Sequence, residues 1–194
     1  MSPAEATRLV VGLGNPGPRY ERTRHNLGFE VAAELAARLA ALFKRGPVAP
    51  ACELASARWQ EARLLLARPL TFMNRSGEAV AALLAYFRLG PEGLIVVHDD
   101  IDQELGRLKI VLSGGAGGHR GVASIAQHLG TQEWRRVKVG VGRPRFGEDI
   151  EEFVLEPFYE DQRALAADMV KKAAEAVLAL LSHGDQRAMT QFNA

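Results

Sequence analysis

Short apolar runs alternate with longer stretches of helical period along this chain, and that alternation restricts the fold more than any other feature. Arg8-Leu-Val-Val-Gly-Leu13 is too short for a helix and too apolar for a surface loop, so it reads as a buried strand. Residues 27–43 then repeat apolar side chains at helical spacing behind Asn26, a residue type suited to an N-cap. Strands are expected over 51–59 and 62–68. A helix capped by Ser76 should follow, running to about Leu89, where Gly90-Pro91 supplies a stop. Leu94-Ile-Val-Val97 is a further buried strand that ends at His98-Asp-Asp. Residues 108–112 and 136–141 read as strands too, separated by a glycine-rich loop and a short helix over 121–129, and an acidic segment leads to a last helix over 160–182. Strands separated by helices predict an α/β fold, a three-layer sandwich with a mixed central β-sheet flanked by helices.

At 194 residues and 47% hydrophobic content, the chain suits one domain, 1–194, with a full core. No apolar run reaches the roughly 18 residues of a membrane span, and Met-Ser-Pro-Ala-Glu-Ala-Thr lacks the basic and apolar regions of a signal peptide. The expected location is therefore the cytoplasm, with no membrane partner. Cys52 is the only cysteine, which excludes an intrachain disulfide and a cysteine-rich zinc site. With no histidine near it in sequence, it reads as a small buried residue.

Charge is segregated although the net charge is only +1. Arg107 to Arg145 holds eight Lys or Arg against the single acid Glu133, whereas Phe146 to Asp161 holds seven acids and no Lys or Arg. The first block would attract polyphosphate or nucleic acid. The second suits the start of a helix, where the dipole favours carboxylates.

Three segments carry candidate chemistry. Gly12-Leu-Gly14-Asn-Pro-Gly17 fits the dinucleotide pattern G-x-G-x-x-G, but Pro16 and Pro18 bracket its last glycine and no helix starts within it. It reads better as a loop at a strand's carboxyl end, where α/β folds place their sites. His25 lies between that loop and the first helix, where it could act as a general base, and Asp99 or Asp100 at the end of the 94–97 strand could orient it. A solvated strand end is the alternative for His-Asp-Asp, and a metal cluster of His98, Asp99, Asp102 and His119 is a rival that no compact ligand motif supports. Ser113-Gly-Gly-Ala-Gly-Gly-His119-Arg120-Gly121 lacks the Lys-Ser/Thr pair of a P-loop, yet its free N–H groups, flanked by basic residues, suit an anion. Three of only four asparagines, Asn15, Asn26 and Asn74, fall in these short motif segments or in Thr-Phe-Met-Asn74. A primary amide can hold a carbonyl without adding charge, although Asn15 and Asn74 taken singly also read as turn and cap residues.

Taken in order, Gly12-Leu-Gly-Asn-Pro-Gly, Tyr20, Thr-Arg-His25-Asn-Leu-Gly, Arg68-Pro-Leu-Thr-Phe-Met-Asn74-Arg-Ser-Gly, His98-Asp-Asp-Ile-Asp, Gly117-Gly-His-Arg-Gly, Val139-Gly-Val-Gly-Arg-Pro144 and Ala-Met-Thr-Gln-Phe-Asn193 closely resemble the bacterial peptidyl-tRNA hydrolases over nearly the whole chain. The resemblance implies a monomeric esterase, free of cofactor and metal, that cuts the bond between a peptide and the 3′-terminal ribose of tRNA. It implies that His25 is the base and Asp99 its orienting carboxylate. Asn15 would help distinguish N-blocked from free aminoacyl ends, and Asn74 would steady the carbonyl or the attacking water. Tyr20, Phe72 and Asn74 match substrate-contacting positions, and Lys109 and Lys138 fall near positions associated with tRNA phosphates. One departure stands out: the family usually has Gly-Gly-His-Asn-Gly where this chain has Arg120. Related plant organelle proteins serve as RNA-splicing factors, so an inactive RNA-binding homologue is the alternative reading.

Overall fold

The computed structural model describes residues 7–193, so Met1 to Ala6, the segment without signal-peptide character, and Ala194 lie outside it. Seven strands form one sheet in the order β2-β3-β4-β1-β5-β7-β6. They are β1 (Thr7–Gly12), β2 (Lys44–Arg45), β3 (Cys52–Trp59), β4 (Ala62–Pro69), β5 (Leu94–Asp100), β6 (Leu108–Val111) and β7 (Arg135–Gly140). β4, β1, β5 and β7 run parallel, while β3 and β6 pair antiparallel to β4 and β7, so the sheet is mixed. The six helices are α1 (Leu27–Arg38), α2 (Ser76–Phe87), α3 (Arg120–Leu129), α4 (Ile150–Leu155), α5 (Arg163–His183) and α6 (Asp185–Phe192).

The central strands are buried on both faces, and their side chains alternate between two cores. Val10, Leu64, Leu66, Ile95, Val97 and Val137 pack with α1, α5 and α6. Leu9, Val11, Leu65, Leu94 and Val96 pack with α2 and α3. Such alternation explains why these runs read as continuously apolar: each neighbour serves a different layer. Among the described residues, no helix is long and apolar enough to cross a membrane.

Several boundaries differ from the sequence expectation. The first helix stops at Arg38 rather than Phe43, and Ala40 turns into the left-handed region at φ 49°. Leu39, Ala41 and Phe43 still pack on the same core, so apolar spacing outlasts the helix. Neither expected cap acts as one. Ser76 lies inside α2 and donates to the carbonyl of Met73 at 2.9 Å, while the Asn26 amide is engaged elsewhere. The acidic segment forms a helix of its own, α4, where Asp149 accepts from the Glu151 N–H at 2.8 Å. The last expected helix, 160–182, is α5, and beyond Gly184 a further helix that was not expected, α6, folds back on β6. There the Asn193 side chain accepts from the Ile110 N–H at 2.7 Å and donates to its carbonyl at 3.0 Å, closing part of the sheet's edge.

The glycine that ends β1 and the one in the first turn of α1 serve packing. A Cβ on Gly12 would lie 2.0 Å from the Gly28 carbonyl oxygen, and one on Gly28 would lie 2.5 Å from both the Leu13 nitrogen and the Val97 oxygen. Helix α1 is thereby pressed against the carboxyl ends of β1 and β5, and the turn Arg24–Asn26 is carried to the edge where β5 ends.

Candidate active site

At that edge a cleft of about 390 Å³ opens between the end of β5, the Phe72–Asn74 turn, the glycine-rich loop and α4. His25, Asp99, Asn15, Phe72, Asn74, Arg120 and Lys138 line it together. Tyr20 stands beside it, edge-on to Phe72 with ring centroids 6.5 Å apart. Lys109 does not line the cleft. It is exposed on β6, directly opposite Lys138 of β7.

His25 is 8% exposed and Asp99 2%. The His25 Nδ1 lies 3.0 Å from each carboxylate oxygen of Asp99. An ionised carboxylate only accepts, so Nδ1 carries the proton and Nε2 is left as the acceptor. Burial alone would raise the Asp99 carboxyl, but the positive charge that His25 and His119 gain on protonation and the hydrogen bonds both rings donate outweigh it and hold the group well below the usual carboxylate range.

His119 is the residue that sequence reasoning weighed only as a metal ligand. Its Nδ1 accepts from the N–H groups of Gly121 and Val122, at 3.2 and 3.3 Å, and so caps α3. That contact leaves the proton on Nε2, which donates to Asp99 Oδ1 at 3.0 Å. The available signal was its place just before a predicted helix start, where a histidine can cap. His98 also lines the cleft, but its Nδ1 donates to the Asp99 carbonyl, at 2.7 Å, and not to the carboxylate. Burial, reinforced by the neighbouring His119, holds the His98 ring well below the ordinary imidazole range.

The rival metal set is not assembled, since Asp102 pairs instead with Arg143 at 2.5 Å. The residues that do converge are His25, Asp99 and His119, whose ligand atoms lie within 4.8 Å of one another. Both approaches to the carboxylate are satisfied by donated N–H groups.

Asparagines build the remaining floor. The Asn26 side chain accepts from the Asn15 N–H at 2.8 Å and donates to its carbonyl at 2.9 Å. Asn15 in turn accepts the Met73 N–H on Oδ1 at 2.8 Å, which leaves its NH₂ available to the cleft and fixes the turn bearing Phe72 and Asn74. Asn74 itself is exposed.

The basic block is less free than its sequence suggests. Lys138 pairs with Asp100 at 2.6 Å, Arg135 with Asp185 at 2.6 Å, and Arg145 with Asp161 at 2.7 Å. Arg136 is buried and donates to the carbonyls of Gly114 and Gly115, so its charge is taken up by the base of the glycine-rich loop. Arg120 pairs across the cleft with Glu151 of α4.

A histidine held by a buried carboxylate, in a cleft at the carboxyl edge of an α/β sheet, has the geometry of a general base and fits a hydrolase. Residues 9–194 match the family model for peptidyl-tRNA hydrolase. The peptidyl-tRNA hydrolase of Aquifex aeolicus is 43% identical over 187 residues, covering 96% of each chain, and that of Mycobacterium tuberculosis is 44% identical over 186 residues, covering 96% of this chain and 97% of the other. The solved peptidyl-tRNA hydrolase of Acinetobacter baumannii, 31% identical, superposes with a TM-score of 0.88, covering 98% of this chain and 96% of that one. The chain belongs to the peptidyl-tRNA hydrolase family.

Proposed function

We propose that the protein hydrolyses the ester between a peptide and the 3′-terminal ribose of peptidyl-tRNA with water activated by His25. The observation that carries this reading is the contact of His25 Nδ1 with both oxygens of Asp99, which leaves Nε2 as the proton acceptor. Nε2 takes a proton from water as its oxygen attacks the ester carbonyl. The oxyanion is met by the Asn74 amide, the C–O bond to ribose breaks, and the proton passes from the imidazolium to the leaving oxygen. Free peptide and tRNA result, with no acyl-enzyme, no metal and no cofactor. Asn15 presents its NH₂ to the blocked end of the peptide, Tyr20 and Phe72 offer ring faces, and Arg120, Lys109 and Lys138 contact phosphates of the acceptor stem and 3′ end. The chain works as a monomer, as one domain spanning 1–194, in the cytoplasm.

The test is release of peptide from an N-blocked aminoacyl-tRNA such as diacetyl-lysyl-tRNA by purified, EDTA-treated protein. Release at a rate that His25→Ala abolishes supports the reading. Tight RNA binding without release identifies a splicing-factor-like binding module instead, and release that EDTA destroys requires a metal.

A further inference from the structure

Arg24 is fully buried, yet among the described residues no carboxylate forms an ion pair with it. Its Nη1 donates to the carbonyls of Phe153 and Glu156, at 2.9 and 3.1 Å, while Nε and Nη2 have no hydrogen-bond partner. The guanidinium carbon sits 3.8 Å from the ring centroid of Phe153, 4.6 Å from that of Tyr159 and 5.3 Å from that of Phe158. Glu148, the acid that could have paired with it, instead accepts the hydroxyl of Tyr159. A charge is costly to bury unless something takes the place of its water, and here ring faces and two carbonyls at the end of α4 do so. All of these partners come from one segment, 153–159.

With the first turn of α4 before it, that segment forms a wall of the cleft. Ile150, Glu151, Val154 and Leu155 line it, and the residue after Arg24 is the base. Backbone contacts already join the two pieces, since the Arg24 N–H donates to the Glu156 carbonyl at 3.2 Å and Thr23 bridges Pro157. A side chain present only to fill space between them would be apolar. A buried cation whose partners all lie on the opposite segment ties its own charge to the docking of that segment.

We infer that Arg24 is a positioning residue that makes the α4 wall and the His25 turn one mechanical unit, so that this wall of the cleft is set in register with the base. The inference rests on the cleft being the hydrolytic site, but its first readout does not need activity. Hydrogen exchange is followed by mass spectrometry in segments 23–28 and 150–158 for the intact protein, Arg24→Lys and Arg24→Gln. Lysine keeps the charge and can reach a carbonyl but loses the flat face against Phe153, whereas glutamine loses the charge. Exchange should accelerate together in both segments, in the order intact protein, Lys, Gln, with α2 and α5 unchanged. In the peptide-release assay KM should rise about fivefold for Arg24→Lys, and further for Arg24→Gln, with kcat per folded molecule changed less than about twofold. Loss of folded protein alone would lower kcat and leave KM intact. Exchange confined to one segment, or an unchanged KM in Arg24→Lys, overturns the inference. If Arg24→Gln does not fold, Arg24→Lys decides. If the intact protein releases no peptide, the proposed function fails while the exchange result still tests the coupling.

Discussion

The floor and the rim of the cleft are built by different rules. On the floor, His25, Asp99, His119, Asn15 and Asn26 are buried or nearly so, and each is fixed by hydrogen bonds to its neighbours. On the rim, Phe72 is 57% exposed, and the side chains of Arg120 and Glu151 are 61% and 67% exposed, held to each other by one ion pair. Groups aimed at developing charge accelerate a reaction when they need no rearrangement at the moment of bond making. Groups that capture a large RNA gain from being able to exchange partners, and an exposed ion pair contributes no more than about 1 kcal/mol. Substitutions on the floor should therefore change turnover, and substitutions on the rim should change capture.

The floor offers the sharpest way to break this division. His25→Ala should lower kcat by about 10²-fold or more with KM nearly constant, as measured in the peptide-release assay. Asp99→Asn should cost less, about tenfold, by loosening the imidazole rather than removing it. Its acid response follows from the depressed carboxyl. A group whose pKa is lower in the folded state stabilises above its unfolded value, and that stabilisation fades as pH falls. The intact protein should therefore lose thermal stability more steeply below about pH 4 than Asp99→Asn does. Parallel melting curves across that range would remove the basis for the pair.

The rim comes next. Arg120→Ala should raise KM about threefold with kcat little changed, and Glu151→Gln, which releases Arg120 to a phosphate, should lower KM. A fall confined to kcat in Arg120→Ala would place this residue with the floor. The smallest effect is expected at the outer cations. Lys109→Ala should weaken tRNA binding and flatten the salt dependence by roughly 0.7–0.9 for each phosphate left without its cation. Lys138→Ala should flatten it less, because that lysine already neutralises Asp100 at 2.6 Å. Equal slopes in both variants and the intact protein would move the RNA footprint elsewhere.

Much of this was readable from the sequence because strand ends and turn residues are local signals. Asp99 is marked in the sequence by an apolar run that ends at His-Asp-Asp, His25 by a polar segment just before the first helix, and the parallel strands by short runs between helical stretches. What escaped was the work that side chains do across the chain. Asn26 and Ser76 have the composition of caps, yet tertiary partners claim Asn26 and the preceding turn claims Ser76. The basic block looked like an anion surface because sequence shows charge without its partners, and five of its eight cations, Arg120, Arg135, Lys138, Arg143 and Arg145, are ion-paired. His119 and Arg24 were underread for the same reason: one acts through a carboxylate 20 residues away, the other through carbonyls more than 100 residues away.

The tight seat of Gly28 against Leu13 and Val97 has a consequence for the order in which the molecule assembles. His25 meets Asp99 across 74 residues of sequence, and α1 can settle only onto a surface made by β1 and β5 side by side. That parallel pairing must first overcome the entropy of closing a long loop, so it belongs among the slow, non-local steps of folding. In refolding from denaturant, helix content should return before any peptide-releasing capacity. A nascent or partly folded chain thus carries an imidazole and a carboxylate that have not yet met, and hydrolysis begins only when the sheet is complete.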